Sequence, residues 1–343
     1  MVPCILLTGA TGYIGSHTWL ALQDAGLDVV GIDSFVNSSP RVLDRLKTIS
    51  GRDPVFVEGD VRDAAALDRA LAAGQAYGGI QAVVHFAALK AVGESVEKPL
   101  LYFDNNLGGL VSVCQAMERH AVRRMVFSSS ATVYGKPDVL PITESATLRA
   151  TNPYGQTKLM GEEMLRELER CNAAWQLAIL RYFNPVGAHP SGLIGEDPRG
   201  VPNNLMPYVA QVAVGKREHL NVFGNDYETP DGTGVRDYIH VCDLAEGHVA
   251  ALRYLLAQQH SLTVNLGTGQ GYSVLELAKA YGKASGRDIP VVFAPRRPGD
   301  IDACYADPAH AHATMGWRAT RGLDEMCVDS WRWQSMNPSG FAA

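Results

Sequence analysis

Short apolar runs alternate with helical patterns through the first half of the chain. Residues 4–8, 28–32, 55–57, 82–86, 125–128 and 177–180 are nearly continuous in apolar, largely β-branched side chains, as strands buried on both faces require. Between them, residues 16–25, 64–73, 100–120 and 154–170 repeat apolar positions at helical spacing. Such alternation predicts right-handed crossovers and a doubly wound parallel sheet flanked by helices.

The texture changes after about residue 184. Pro185, Gly187, Pro190, Gly192, Gly195, Pro198, Gly200 and Pro202 crowd one stretch, and strand signals shrink to 222–223, 264–266 and 291–293. Helical patterns at 205–214, 241–256, 274–285 and 323–333 complete this half. The expectation is an α/β chain in two parts. Residues 1–184 form the sheet domain that carries the chemistry, and 185–343 form a smaller mixed α/β lobe, some of whose segments return to the first.

Composition narrows the class without naming an activity. With 343 residues, 46% hydrophobic and 19% charged, the chain can bury a full core without disulfides or structural metals. Thirty Lys and Arg against 36 Asp and Glu leave a net charge of −6, which excludes a general nucleic-acid binder or a protein held on anionic membrane. Cysteines 4, 114, 171, 242, 304 and 327 are scattered, with no Cys-x-x-Cys pair, as in a reduced, cytoplasmic protein. No apolar run approaches the ~18 residues of a membrane span, and the N-terminus enters a strand-like segment directly. His310 and His312, two apart, do not share a helix face, and no metal site is expected.

Gly9-Ala10-Thr11-Gly12-Tyr13-Ile14-Gly15 joins the first strand to the first helix. Glycines there allow a tight turn and close approach of backbone amides to a pyrophosphate, which the helix N-terminus also attracts. Asp33 ends the second strand 18 residues after Gly15, with no Arg immediately after it. An acid at that place suits the ribose hydroxyls of NAD and repels the extra phosphate of NADP, so the sheet is expected to be of the Rossmann type.

Tyr154 and Lys158, four apart, share a helix face, and the 125–128 strand ends in Ser128-Ser129-Ser130. An ammonium beside a phenol stabilises phenolate, so Lys158 is expected to pull the Tyr154 pKa from about 10 towards neutrality and make it a usable base. Ser130 supplies the partner hydroxyl.

These motifs, with Gly59-Asp60-Val61-Arg62, His85-Phe86-Ala87-Ala88-Leu89-Lys90, Arg181-Tyr182-Phe183-Asn184-Pro185, Asn203-Asn204-Leu205-Met206-Pro207 and Asp237-Tyr238-Ile239-His240, resemble the extended short-chain dehydrogenase/reductase family. Within it the chain is most similar to the enzymes that epimerise UDP-hexoses at carbon 4. The resemblance implies that Tyr13, Ile14, Asp33, Ser34, Asn37, Ser38, Asp60, Val61, Phe86, Ala87, Lys90, Asn105 and Ser128 line NAD, with Phe183 against the nicotinamide. It implies Ser130, Tyr154 and Lys158 as the catalytic set. Asn184, Asn204, Leu205, Asn221, Val222, Phe223, Arg236, Arg297, Asp300 and Cys304 would hold the UDP-sugar, UDP-glucose or UDP-galactose. A homodimer of paired helices is usual in this group, with the helix at 100–120 a candidate face.

Two other readings share parts of this pattern. Related sugar-nucleotide dehydratases resemble one another in an Asp-Glu pair directly after the active-site Ser or Thr, where this chain has Ala131 and Thr132. A non-catalytic NAD-sensing module would have no use for an intact Ser130, Tyr154 and Lys158. Two positions depart from the common bacterial pattern. Ala88 stands in place of a Gly, and Cys304 stands where narrow-specificity members carry Tyr, facing the substituent on sugar carbon 2. The volume freed at Cys304 predicts activity on UDP-N-acetylglucosamine as well.

Overall fold

The computed structural model describes residues 2–200, 202–297 and 299–342. In chain order the strands are β1 (Cys4–Thr8), β2 (Asp28–Asp33), β3 (Val55–Glu58), β4 (Ile80–His85), β5 (Arg124–Ser128), β6 (Gln176–Tyr182), β7 (Asn184–Val186), β8 (Leu220–Phe223), β9 (Val235–His240), β10 (Leu262–Leu266), β11 (Gly271–Ser273), β12 (Val291–Ala294) and β13 (Ala303–Cys304). Seven of them form one parallel sheet in the order β10-β6-β5-β4-β1-β2-β3. The chain reverses direction across the sheet between β1 and β4, so a crevice opens at the strands' carboxyl ends there.

Alternate residues along each strand enter opposite layers, which accounts for the continuous apolar runs. Ile5, Leu7, Val29, Val84, Val126 and Leu180 pack beneath the helices Tyr13–Asp24 and Val241–Gln258. Cys4, Leu6, Val30, Val83, Met125 and Ile179 face the other way, with Leu67, Val113 and Leu165 from the helices Ala64–Ala73, Gly109–Arg119 and Pro153–Cys171. β10 and the helix before it therefore belong to the first sheet, although they lie late in the sequence. A third core, around Val209, Val222, Tyr238, Leu277 and Tyr281, holds the smaller lobe together.

Local chemistry sets the helix starts. Asn152 caps the helix of Tyr154 by accepting from the Gly155 amide at 2.8 Å, with Pro153 at the first helical position. Ser273 and Glu276 close a reciprocal capping box.

The structure departs from the sequence pattern in several places. A helix at Arg41–Ser50 buries only Val42 and Leu46, too few apolar positions to read as periodic. The predicted helix at 100–120 is interrupted by a π-turn, Phe103–Gly108, where Asn105 and Asn106 sit. β9 does not stand out as a strand in the sequence, because Arg236 and Asp237 break its apolar run, yet it is the hub of the second sheet. It pairs with β7, β11 and β13.

Candidate active site

The loop after β1 is shaped by what its glycines lack. A Cβ on Gly15 would lie 2.1 Å from the Gly9 carbonyl oxygen, and one on Gly9, which has φ +67°, would lie 2.8 Å from the Ala87 amide. Gly12 begins the helix Tyr13–Asp24 with no side-chain cap, leaving its first amides for a ligand. The Asp33 carboxylate accepts from the amides of Thr11 and Phe35, both at 3.0 Å, and from the Ser38 hydroxyl at 3.4 Å. That loop, which also carries Ser34 and an exposed Asn37, is clamped from elsewhere. Arg199 donates to the carbonyls of Phe35, Val36 and Ser38 at 2.8–3.0 Å. An arginine thus does reach the loop after Asp33, supplied from far along the chain, but it donates to backbone carbonyls. Bare backbone at the glycines, an uncapped helix start and an acid at the end of β2 fit a dinucleotide.

The other positions expected to line a cofactor lie near this cradle or on the loops beside it. Ile14 lies on the first turn of the helix, and Tyr13 donates its hydroxyl to the Gly187 carbonyl at 2.8 Å. Phe86 and Ala87 follow β4, and the Ala87 amide donates to the Thr8 hydroxyl at 3.3 Å. Asp60 is held below the usual carboxylate range by hydrogen bonds from Arg62. Val61 turns its side chain into the core, so only its backbone can face a ligand. Asn105 donates to Asn106, and Asn106, which sequence reasoning missed, is the more deeply placed of the two. Its amide bonds both polar groups of the Leu89 backbone and donates to the Thr157 hydroxyl at 3.0 Å, tying the β4 loop to the catalytic helix. Two amides in the middle of a helical pattern were the available signal, and a π-turn is a frequent feature of functional sites.

Ser130, Tyr154 and Lys158 come together between the end of β5 and the helix Pro153–Cys171. Ser130 caps the short turn Ala131–Tyr134, its oxygen accepting from the Thr132 amide at 3.2 Å. Its hydroxyl also meets the Tyr154 phenol. Lys158 is buried, donates to the Ser128 carbonyl at 2.7 Å and lies 5.9 Å from the centre of the Tyr154 ring. Burial draws the ammonium down to about 8, with Glu162 opposing. The expected lowering of Tyr154 is not found. Burial pushes its phenol up to about 12, and Ser130 is the group that works against the rise. The reason is geometric: the Lys158 ammonium is turned to the Ser128 carbonyl and the Phe127 ring, 5.2 Å from its centre.

The positions expected to hold the sugar nucleotide lie on the end of β6 and on the second lobe. Phe183 is buried beside Tyr134, Val133, Ile142 and Ala306, and Cys304 packs against that group. Burial raises the Cys304 thiol to about 11, so it meets the cleft as a neutral, compact group. β13 sets Cys304 in register with Arg236 of β9, and Arg236 reaches Asp300 at 3.3 Å and the Ile301 carbonyl at 2.9 Å. Arg297 stacks on the Phe223 ring, 3.9 Å from its centre; its neighbour Pro298 lies outside the described residues. In β8, Asn221 and Phe223 turn one way, whereas Val222 is 1% exposed and belongs to the lobe core, so its side chain is withdrawn from the cleft. Asn184 is exposed at the start of β7. Leu205 opens the helix Leu205–Ala213, preceded by Asn204. Glu196, also missed, accepts from Lys90 at 3.0 Å and from Asn204 at 2.9 Å, one carboxylate joining the cofactor side of the cleft to the sugar-nucleotide side.

Among the described residues no group of three His, Cys, Asp or Glu could hold a metal, and no helix is long and apolar enough to cross a membrane.

Known proteins agree with this geometry along almost the whole chain. A family model described as GDP-mannose 4,6 dehydratase matches residues 6–330. The chain is 60% identical over 337 residues to UDP-glucose 4-epimerase of Bacillus subtilis, spanning 98% of each. It superposes with TM-score 0.93 and 51% identity on the Bifidobacterium longum UDP-glucose 4-epimerase in complex with NAD+ and UDP, covering 98% of this chain and 99% of the other. The UDP-glucose-4-epimerase of Stenotrophomonas maltophila, with bound NAD and formylated UDP-arabinopyranose, gives 0.95 and 50%, covering 98% and 100%. The chain belongs to the family of that model and, within it, to the UDP-glucose 4-epimerases of the extended short-chain dehydrogenases/reductases.

Proposed function

We propose that this chain interconverts UDP-glucose and UDP-galactose by inverting carbon 4, with NAD held in the glycine cradle. The observation that carries the reading is the meeting of Ser130, Tyr154 and Lys158 beside that cradle, with Ala131 and Thr132 following Ser130. Elimination by a dehydratase needs an added acid and base next to the reacting sugar, and neither residue can serve.

Tyr154 takes the proton from the sugar's 4-hydroxyl and returns it after the sugar has turned. Ser130 hydrogen-bonds the reacting oxygen and fixes the phenol. Lys158 grips the cofactor ribose and sets positive charge near the phenolate. NAD held in the glycine cradle would supply a reversible hydride acceptor for carbon 4, with no net consumption of the cofactor. The free phenol, at about 12, requires added positive charge to ionise near neutrality, and the oxidised nicotinamide is the cation that supplements Lys158. Arg236 and Arg297 take the diphosphate, for which a guanidinium's paired donors are suited.

Mixing purified protein with UDP-galactose and no added NAD, and following UDP-glucose by NMR, tests the reading. Product without added cofactor is the expected result. No product even with NAD supplied rejects it.

Cys304 extends the substrate range to UDP-N-acetylglucosamine, because a thiol leaves room beside sugar carbon 2 that a phenol ring would fill. The active form is a homodimer. Val96, Leu100, Val111 and Met160 present exposed apolar side chains on neighbouring helices, with Leu100 81% exposed, and a second copy would cover them. Light scattering should give twice the chain mass, and Leu100→Glu should reduce it. The working compartment is the cytoplasm, where free cysteines persist, and fractionation can check it.

A further inference from the structure

Behind the catalytic set lies a fully buried ion pair that the reaction does not touch. Glu162, one turn beyond Lys158, has no exposed side-chain surface. Arg181 of β6 grips both its oxygens at 2.7 and 2.9 Å, and Arg166 donates to it at 2.7 Å. Arg181 in turn donates to the Tyr134 hydroxyl, which donates to Asn265 of β10. A structural pair would need no more than this.

The third partner points further. The Ser129 hydroxyl donates to Glu162 at 2.5 Å. Ser129 is the middle of three serines at the end of β5: Ser128 gives its carbonyl to Lys158, and Ser130 meets Tyr154. We propose that Glu162 is a positioning residue for the reaction, fastening the serine end of β5 to the helix of Tyr154 and Lys158 and supplying buried negative charge to the Lys158 side of the site.

The geometry explains why this charge acts without quenching the lysine. Glu162 has its oxygens occupied by Ser129 and two arginines, so it forms no direct salt bridge with Lys158, whose ammonium donates to the Ser128 carbonyl instead. The groups facing Lys158 are few. Its own helix brings Tyr154 and Glu162; β4 brings His85, which burial keeps neutral; β5 brings the Ser128 carbonyl and the Phe127 ring; β6 brings Arg181 and Tyr182. Tyr102, whose hydroxyl donates to Glu94, faces Tyr154. Burial favours a neutral Lys158, and among these groups Glu162 is the anion that opposes it. Burial pushes Glu162 itself up, but Arg181, Ser129 and Arg166 outweigh that and hold it ionised.

The test compares Glu162→Gln and Ser129→Ala with the parent enzyme, with Tyr154→Phe alongside because the inference rests on the proposed catalytic set. Removing the anion favours neutral lysine, so Glu162→Gln should move the basic limb of the kcat–pH profile to lower pH. Its kcat at pH 8 should fall by roughly fivefold, as about one pKa unit below 8 would give, with KM for UDP-galactose little changed. That variant strands Arg181 and can cost the fold. Ser129→Ala keeps the ion pair and should fold normally, losing about threefold to tenfold in kcat at constant KM. A Ser129→Ala enzyme with parental kcat overturns the fastening role. A folded Glu162→Gln enzyme with an unmoved basic limb overturns the electrostatic one. If those variants match the parent while Tyr154→Phe is inactive, only the role of Glu162 falls; if Tyr154→Phe turns over normally, the catalytic set and this inference fall together.

Discussion

The proposed cofactor side of the cleft is made of backbone, and the proposed sugar-nucleotide side is made of side chains. Gly9, Gly12 and Gly15 work by the absence of a Cβ, within seven consecutive residues on one strand–helix turn. Across the cleft, Arg236, Arg297 and Cys304 arrive from separate segments, positioned by strands of two to six residues and by stacking on Phe223. The first kind of site tolerates almost no change at a position but asks little of its surroundings. The second tolerates graded change and depends on distant pairings.

The sharpest way to break that contrast is Gly15→Ala. The added methyl would lie 2.1 Å from the Gly9 carbonyl, so helix and loop must separate. Overpacking of this kind costs at least about 1–3 kcal/mol and moves the amides that would hold the pyrophosphate. The expected outcome is a lowered thermal midpoint and loss of bound NAD, measured by cofactor release and absorbance. Full NAD content in this variant would show that the cradle is not rigid backbone after all.

Arg297→Met should act in a graded way. A charge-assisted hydrogen bond to a diphosphate contributes about 1.5–3 kcal/mol, so KM for the UDP-sugar should rise roughly tenfold or more with kcat and NAD content nearly unchanged. A fall in kcat at constant KM would place Arg297 in the chemistry instead of in binding.

The same contrast decides what could be read from residue order. The cradle and the Tyr154/Lys158 pair are contiguous or one helical turn apart, so spacing alone exposes them. Most strands of the large sheet are also legible, because burial on both faces makes each an unbroken apolar run. Arg199, Asn106, Glu162 and Glu196 escape for a common reason: each is an ordinary polar residue whose partner is remote, from eight residues away for Asn204 and Glu196 to more than a hundred for Lys90 and Glu196. Val222 shows the opposite failure. Its motif neighbours Asn221 and Phe223 face the cleft side, and strand alternation sends it into the lobe core. Similarly, the Tyr154–Lys158 spacing correctly joins the two side chains but does not say where the ammonium points; the Ser128 carbonyl does that.

Cys304→Tyr carries the smallest expected effect and tests the side-chain wall most finely. Cys304 packs beside the Phe183 cluster and opposite Arg236 in β9, so a phenol ring there must either enter the cleft or displace Phe183. Entering the cleft removes the volume available to a substituent on sugar carbon 2. An added group in a pocket changes discrimination by about 1–3 kcal/mol, which is roughly tenfold to two-hundredfold. Turnover of UDP-N-acetylglucosamine should fall by a factor of that order while UDP-glucose turnover stays within about threefold of the parent. A parallel loss on both sugars would mean that the ring displaced Phe183 and disturbed the cofactor face, joining the two sides of the cleft that the geometry otherwise keeps distinct. Equal failure of parent and variant on the N-acetyl sugar would remove Cys304 from specificity altogether.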